Sequence, residues 1–292
     1  MPAEPPVATP LTLAEAYDLL AGGDGWQPVA GGTDLMVQIA GELADPPERV
    51  LDLWRLDELR GINLGGRELV LGALTTYTEI RRSPLCAKVL PALVEAAATI
   101  GAAQIQNRGT IGGNIVNASP AGDTLPIFLA TDARIVLGSA RGEREVAASD
   151  FWTGYRTTVR MPDELLIRVH IPLPLGRQVR FRKVGTRRAQ AISKVVMALA
   201  WRPNEVERPD SDPSPWGDVR LALGSVAERP IRAPRTEAAL EGAAPTLETA
   251  DRAAATLADE IHPIDDVRST AEYRRTVAAR VLHRLIRETG GW

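Results

Sequence analysis

Residues 26–53 carry the strongest constraint on the fold. "WQPVAGGTDLMVQIA" reads as an extended run over 26–30, a Gly-Gly break, and a helix from an N-cap at Thr33 through Ile39. "RVLDLW" then reads as a second strand over 50–53. Parallel strands cannot be joined by a tight hairpin, and the intervening helix supplies the crossover they need. Another helix precedes them. Thr12 and Glu15 have capping-box spacing, Leu13, Tyr17 and Leu20 share a face, and Gly22-Gly23 ends it. The N-terminal segment is therefore expected to form a small parallel unit.

Beyond Gly61 the pattern changes from crossover to hairpin. In "GINLGGRELVLGAL" the pair Gly65-Gly66 stands at a turn between two extended runs. "TTYTEIRRSPLCAKVLPALVEAAATIG" is helical in composition but interrupted by Pro84 and Pro91. Strands are expected at "ARIVLGS", "REVAA" and "LLIRVHIP", which makes 61–175 a second, mostly antiparallel lobe. "VRFRKVG", "ISKVVMALAW" and "DVRLALGSV" read as three further strands. The last two are separated by a proline- and charge-rich excursion at 203–217. Two helical stretches close the chain, and Tyr273, Val277, Val281 and Leu285 define the expected buried face of the second. The expected class is α+β: lobes over 1–60 and 61–175, then a separate α+β domain over 180–292 built on a three-stranded antiparallel sheet. A length of 292 residues fits more than one domain.

Several functions are excluded cheaply. A net charge of −3 leaves no basic footprint for nucleic acid. The one cysteine, Cys86, can support neither a disulfide framework nor a cysteine-ligated cluster. No run of about 18 apolar residues is present to span a membrane. The first residues lack a basic start followed by an apolar core, so the expected location is cytoplasmic. There is no phosphate-binding G-x-x-x-x-G-K-[ST], no G-x-G-x-x-G and no G-x-S-x-G. His170, His262 and His283 lack metal-ligand spacing. With no catalytic residue assigned, the chain reads as a binding protein or as the carrier of a cofactor's chemistry.

Two glycine-rich segments remain. In "VAGGTDL", Gly31-Gly32 lie between a strand and a helix start, where bare N–H groups and the helix dipole suit a phosphate. "RGTIGGNIVNASPAGDTLP" reads as a loop in which Gly112-Gly113 offer N–H groups and Thr110, Asn114 and Asp123 add polar contacts. Two such sites in different lobes imply a diphosphate held between them.

These segments, in this order, resemble the flavin-binding subunit of the molybdenum hydroxylases, the xanthine dehydrogenase and carbon monoxide dehydrogenase family. The similarity continues through "FWTGYRTTVRMPDELLIRVHIP", "FRKVGTRRAQAIS" and "LALGSVAERPIRAPRTEAALEG", and so covers essentially the whole chain. It implies a two-lobed FAD-binding domain of the vanillyl-alcohol-oxidase type, followed by the C-terminal α+β domain. Carried over, Ala30, Gly31, Gly32, Thr33, Asp34 and Leu35, with Thr110, Ile111, Gly112, Gly113 and Asn114, would cradle the pyrophosphate of a non-covalent FAD. Asp123 would bind its ribityl or ribose region, and Leu166 and Lys183 would contact the flavin. Tyr155 and Arg156 would be structural ties between lobes. The resemblance further implies an electron-transfer oxidoreductase subunit with a molybdopterin-binding large partner and a [2Fe-2S] small partner. The assembly would be a dimer of heterotrimers, and the external acceptor NAD, oxygen or a quinone. A self-sufficient flavin oxidase of the same fold and a non-enzymatic nucleotide-binding regulator are the alternatives.

Overall fold

The computed structural model describes residues 5–41, 45–187, 190–204 and 214–292. Its first lobe runs β1 (Val7–Ala8), α1 (Leu13–Ala21), β2 (Trp26–Val29), α2 (Leu35–Ala40) and β3 (Arg49–Asp52). The three strands form a sheet in the order β1-β3-β2, with both pairs parallel. Thr12 caps α1 by accepting from the Glu15 amide at 3.2 Å, and the Glu15 carboxylate accepts in return from the Leu11 amide at 2.8 Å. Helix α2 corrects one expectation. Its N-cap is Asp34 rather than Thr33, and none of its residues is buried. The Gly32 carbonyl accepts from the Met36 amide, so an isolated turn precedes the helix, and the Asp34 carbonyl then accepts from the Gln38 amide.

The second lobe begins with the hairpin β4 (Ile62–Gly65) and β5 (Glu68–Gly72), then α3 (Tyr77–Arg82), α4 (Pro84–Val89), α5 (Pro91–Thr99) and α6 (Ala103–Arg108). Pro84 and Pro91 each occupy the first turn of a new helix, where a missing N–H has no partner to lose, so the two breakers become two starts. Next come α7 (Ile111–Asn117), α8 (Leu125–Ala130), β6 (Arg134–Ser139), β7 (Gly142–Ala147) and α9 (Ala148–Phe151). The small ribbon β8 (Trp152–Gly154) and β9 (Thr157–Thr158) precedes β10 (Leu165–Pro172). The main sheet has the order β4-β5-β10-β6-β7 and every pair is antiparallel. The segment expected as an open loop is instead helical over α7. Thr110 caps it through the Gly113 amide at 3.1 Å, and an isolated bridge between Thr76 and Thr110 sets this start beside α3.

The C-terminal part contains β11 (Gln178–Val184), β12 (Val195–Pro203), β13 (Trp216–Gly224) and β14 (Ile231–Arg232), then α10 (Pro234–Leu240), α11 (Leu247–Glu260) and α12 (Ala271–Gly290). The three expected strands are joined by a fourth, the two-residue β14, and all pairs are antiparallel. Strand β12 is buried on both faces, which explains its unbroken apolar run. Val196, Ala198 and Ala200 join the core of the preceding lobes, while Val195, Met197, Leu199 and Trp201 pack with the C-terminal helices. The buried stripe of α12 is offset from the expected one: Arg274, Ala278, Leu282, Leu285 and Ile286 are buried, and Tyr273 is 41% exposed. Arg274 takes the inward position because its guanidinium donates to the Ser225 carbonyl and the Asp266 carboxylate, each at 2.6 Å. Of the 203–217 excursion, 205–213 lie outside the described residues. Among those described, no helix is long and apolar enough to cross a membrane.

Candidate cofactor cleft

A cleft of about 620 Å³ opens between the two N-terminal lobes. The turn from β2 into α2 forms one wall, through Ala30, Gly31, Gly32, Thr33, Asp34 and Leu35. The start of α7 faces it with Thr110, Gly112, Gly113 and Asn114, and the start of β10 adds Leu165 and Leu166. The structure thus brings eleven of the fourteen expected site residues to one cleft. The other three, Ile111, Asp123 and Lys183, are outside its lining. Ile111 is fully buried beneath α7.

The lobes meet at backbone. A Cβ built on Gly31 would overlap the carbonyl oxygen of Arg108 and stand 2.6 Å from its carbonyl carbon. The Arg108 guanidinium lies over the Trp54 ring at 3.7 Å, adding a second tie from α6 to the first lobe. Arg156, held in the left-handed region at φ 51°, donates to Asp34 at 3.3 Å and to Asn117, and so bridges both walls of the cleft. Its neighbour Tyr155 is 62% exposed.

The two glycine pairs differ in what they offer a ligand. In the second segment the Ile111, Gly112, Gly113 and Asn114 amides donate to Thr75, Ala73 and Thr110. A Cβ on Gly112 would sit 2.8 Å from both Cβ and the carbonyl oxygen of Ala73, so this glycine permits helix-to-strand packing. In the first segment, the amides of Gly31, Gly32, Thr33 and Asp34 have no acceptor among the described residues. A run of unpaired N–H groups around Gly32, whose φ is +71°, is the concave donor set that an anion fills. Facing walls, apolar Leu165 and Leu166, and these free donors fit a diphosphate-bearing cofactor such as FAD.

Asp123 and Lys183 pair with each other. Lys183, reaching from β11, donates to Asp123 at 2.6 Å and to the Thr99 carbonyl at 3.1 Å. Burial pushes the Asp123 carboxyl up and the Lys183 ammonium pulls it back. The pair adjoins the cleft wall, since a Cβ on Gly122 would come 2.9 Å from the Asn114 side-chain oxygen.

Six polar residues of the cleft escaped the sequence reading: Gln27, Gln38, Tyr77, Asn117, Arg160 and Glu164. Thr76 and Glu79 form a capping box that places Tyr77 at the first position of α3, and its T-x-x-E spacing was a readable signal. Nothing local marks Glu164. It receives the Arg144 guanidinium at 2.6 and 2.8 Å and the Met161 amide at 2.8 Å, and the arginine holds its carboxyl below the ordinary value. Arg160 donates to the carbonyls of Met161 and Glu164, and burial lowers its pKa. Because the Glu164 pKa is depressed on folding, its contribution is present above the ordinary 4.5 and is lost as pH falls through the folded value. Glu164→Gln should therefore lower stability by roughly 1.5–3 kcal/mol at pH 7. The difference from wild type should shrink as the pH falls below the ordinary 4.5 in denaturant titrations. A pH-independent difference would refute the ionic role.

Comparison with known proteins agrees with this architecture. Residues 3–174 match the family described as "FAD binding domain in molybdopterin dehydrogenase", and 180–289 match "CO dehydrogenase flavoprotein C-terminal domain". The chain is 33% identical to the glyceraldehyde dehydrogenase medium chain of Sulfolobus acidocaldarius, over 91% of each chain. It is 32% identical to the nicotinate dehydrogenase FAD-subunit of Eubacterium barkeri, covering 94% of this chain and 93% of that one. A solved carbon monoxide dehydrogenase from Hydrogenophaga pseudoflava superposes with a TM-score of 0.88 at 30% identity, covering 97% of this chain and 96% of the other.

Proposed function

Because this chain belongs to the FAD-binding medium subunits of the molybdenum hydroxylases, the xanthine dehydrogenase and carbon monoxide dehydrogenase family, we propose that it relays electrons from a [2Fe-2S] partner to an external acceptor. The observation that carries this reading is the interlobe cleft with four free amides at Gly31, Gly32, Thr33 and Asp34. Those amides hold the diphosphate; Thr110, Gly112, Gly113 and Asn114 form the facing wall, and Ile111 anchors α7 behind it. Leu166 closes an apolar side. Asp123 and Lys183 act at the edge beside Asn114, where their pair joins the C-terminal sheet to the cofactor lobe. The bound flavin supplies the redox chemistry. This chain positions it and excludes water from one side.

The binding is non-covalent, a reading supported by the cleft lining, which includes no His or Cys among the described residues. The single cysteine of the chain supports placing the iron–sulfur centres on a small partner, with molybdopterin on a large one. A dimer of such heterotrimers and an acceptor of the NAD, oxygen or quinone type complete the proposal. The three larger sheets and the matched ranges support cofactor lobes over 1–60 and 61–175 and a C-terminal domain over 180–292.

The test is purification of the native complex. FAD, iron and molybdenum should co-purify, and acid precipitation should release the yellow colour into the supernatant. Stripping FAD should abolish transfer to the acceptor while substrate still bleaches the iron–sulfur absorbance. Substrate turnover by the isolated chain would instead establish a self-sufficient flavin oxidase.

A further inference from the structure

Among the described residues the charged groups lining the cleft are Asp34, Arg156, Arg160 and Glu164. Glu164 has a further guanidinium of its own in Arg144. Asp34 depends instead on a residue of the second lobe. Arg156 Nη1 donates to Asp34 Oδ2 at 3.3 Å and, from the same nitrogen, to Asn117. The two paired side chains are 36% and 48% exposed, and an ion pair this open to water adds little to stability. Its effect lies in where it holds the carboxylate.

Asp34 is the N-cap of α2, a position from which an aspartate ordinarily accepts from amides of the first turn. Here its side chain makes no capping bond. Gln38 Nε2 and Arg156 both donate to its Oδ2. The amides of Gly31, Gly32, Thr33 and Asp34 stay free beside it. A carboxylate next to four bare N–H groups is the anion nearest to filling them.

The arginine is delivered by an anchored turn. Tyr155 and Arg156 connect β8 to β9, and Arg156 takes a left-handed φ of 51° that a residue with a Cβ disfavours. Trp152, in β8, is buried and donates from Nε1 to the Ile115 carbonyl of α7 at 3.0 Å. The ribbon is thus fixed to the helix whose start forms the facing wall.

We propose that Arg156 is a positioning residue of the cofactor site: it restrains the Asp34 carboxylate, which would otherwise compete with the cofactor's diphosphate for the free amides. The inference rests on the FAD reading above. The four charges of the lining sum to zero, two acidic against two basic, and removal of Arg156 leaves −1 opposite an anionic ligand.

The experiment uses the full chain, stripped of FAD and titrated with FAD at low salt while flavin fluorescence is followed. Arg156→Met should raise Kd roughly 10-fold, the scale of one poorly screened like charge. In an Asp34→Asn background, which keeps the backbone amide and removes the anion, the same change should move Kd by less than about 2-fold. Asn117→Ala cuts only the other arm of the guanidinium and should raise Kd less than Arg156→Met does. Arg156→Gln carries the same expectations should the methionine variant not fold. An unchanged Kd on removal of the arginine would overturn the proposal. Equal deficits in the two backgrounds would also overturn it, because the arginine would then act on the cofactor directly or as a tie between lobes. So would an Asn117→Ala deficit as large as that of the arginine variants. Failure of the wild-type chain to bind FAD at all would remove the parent reading and this one together.

Discussion

Gly31→Ala is expected to destabilise the chain by roughly 3 kcal/mol or more and to strip it of flavin. The new methyl would occupy the position of the Arg108 carbonyl, and two backbones cannot yield as a flexible side chain can. Relief requires β2 and α6 to separate, which opens the cleft and pulls the Arg108 guanidinium from Trp54. Gly32→Ala provides the contrast. Its Cβ would stand 3.5 Å from the Met36 side chain, an ordinary contact, so the effect reduces to a left-handed φ of +71°. That conformation costs about 1–2 kcal/mol for a residue with a Cβ. Urea titrations of the apoproteins should separate the two variants clearly. Equal stability of Gly31→Ala and wild type would mean that the lobes do not meet at backbone in solution. By the same reasoning Gly112→Val should harm the apo fold as well as flavin content, since the added atoms meet Ala73.

Lys183→Met should be comparably severe, about 3–5 kcal/mol, because it leaves the buried Asp123 carboxylate without its cation. Asp123→Asn alone should do less, and the double variant should recover much of the loss, since the remaining groups are then neutral. Chemical denaturation of the four proteins measures the coupling. Flavin affinity should fall in Lys183→Met as a consequence, because the pair joins β11 to the segment beside Asn114. Loss of flavin with stability intact would show that the lysine acts at the cofactor directly and not through Asp123.

The sequence by itself determined the features that depend on neighbours a few residues away. The Gly-Gly break between strand and helix, the switch from crossover to hairpin at Gly61, and the helix interruptions at Pro84 and Pro91 all follow from local backbone preference. They were legible for that reason. So was the convergence of Ala30, Gly31, Gly32 and Thr110, Gly112, Gly113 on one cleft, which the motif pair implied.

Tertiary structure alone decided which of those residues face a ligand and which face protein. Gly31 and Gly112 are required by contacts with Arg108 and Ala73, each dozens of residues away, and no local pattern encodes such an approach. The glycine-rich segment after Thr110 becomes a helix because the cap at Thr110 and packing on Ala73 outweigh the weak helical propensity of glycine. Arg274 displaces Tyr273 from the inner face of α12 because a buried carbonyl and Asp266 await its guanidinium. Asp123 meets Lys183 across 60 residues. Hydrogen-bond satisfaction in a packed interior is a non-local sum, and it exists only once the lobes and the C-terminal sheet are assembled.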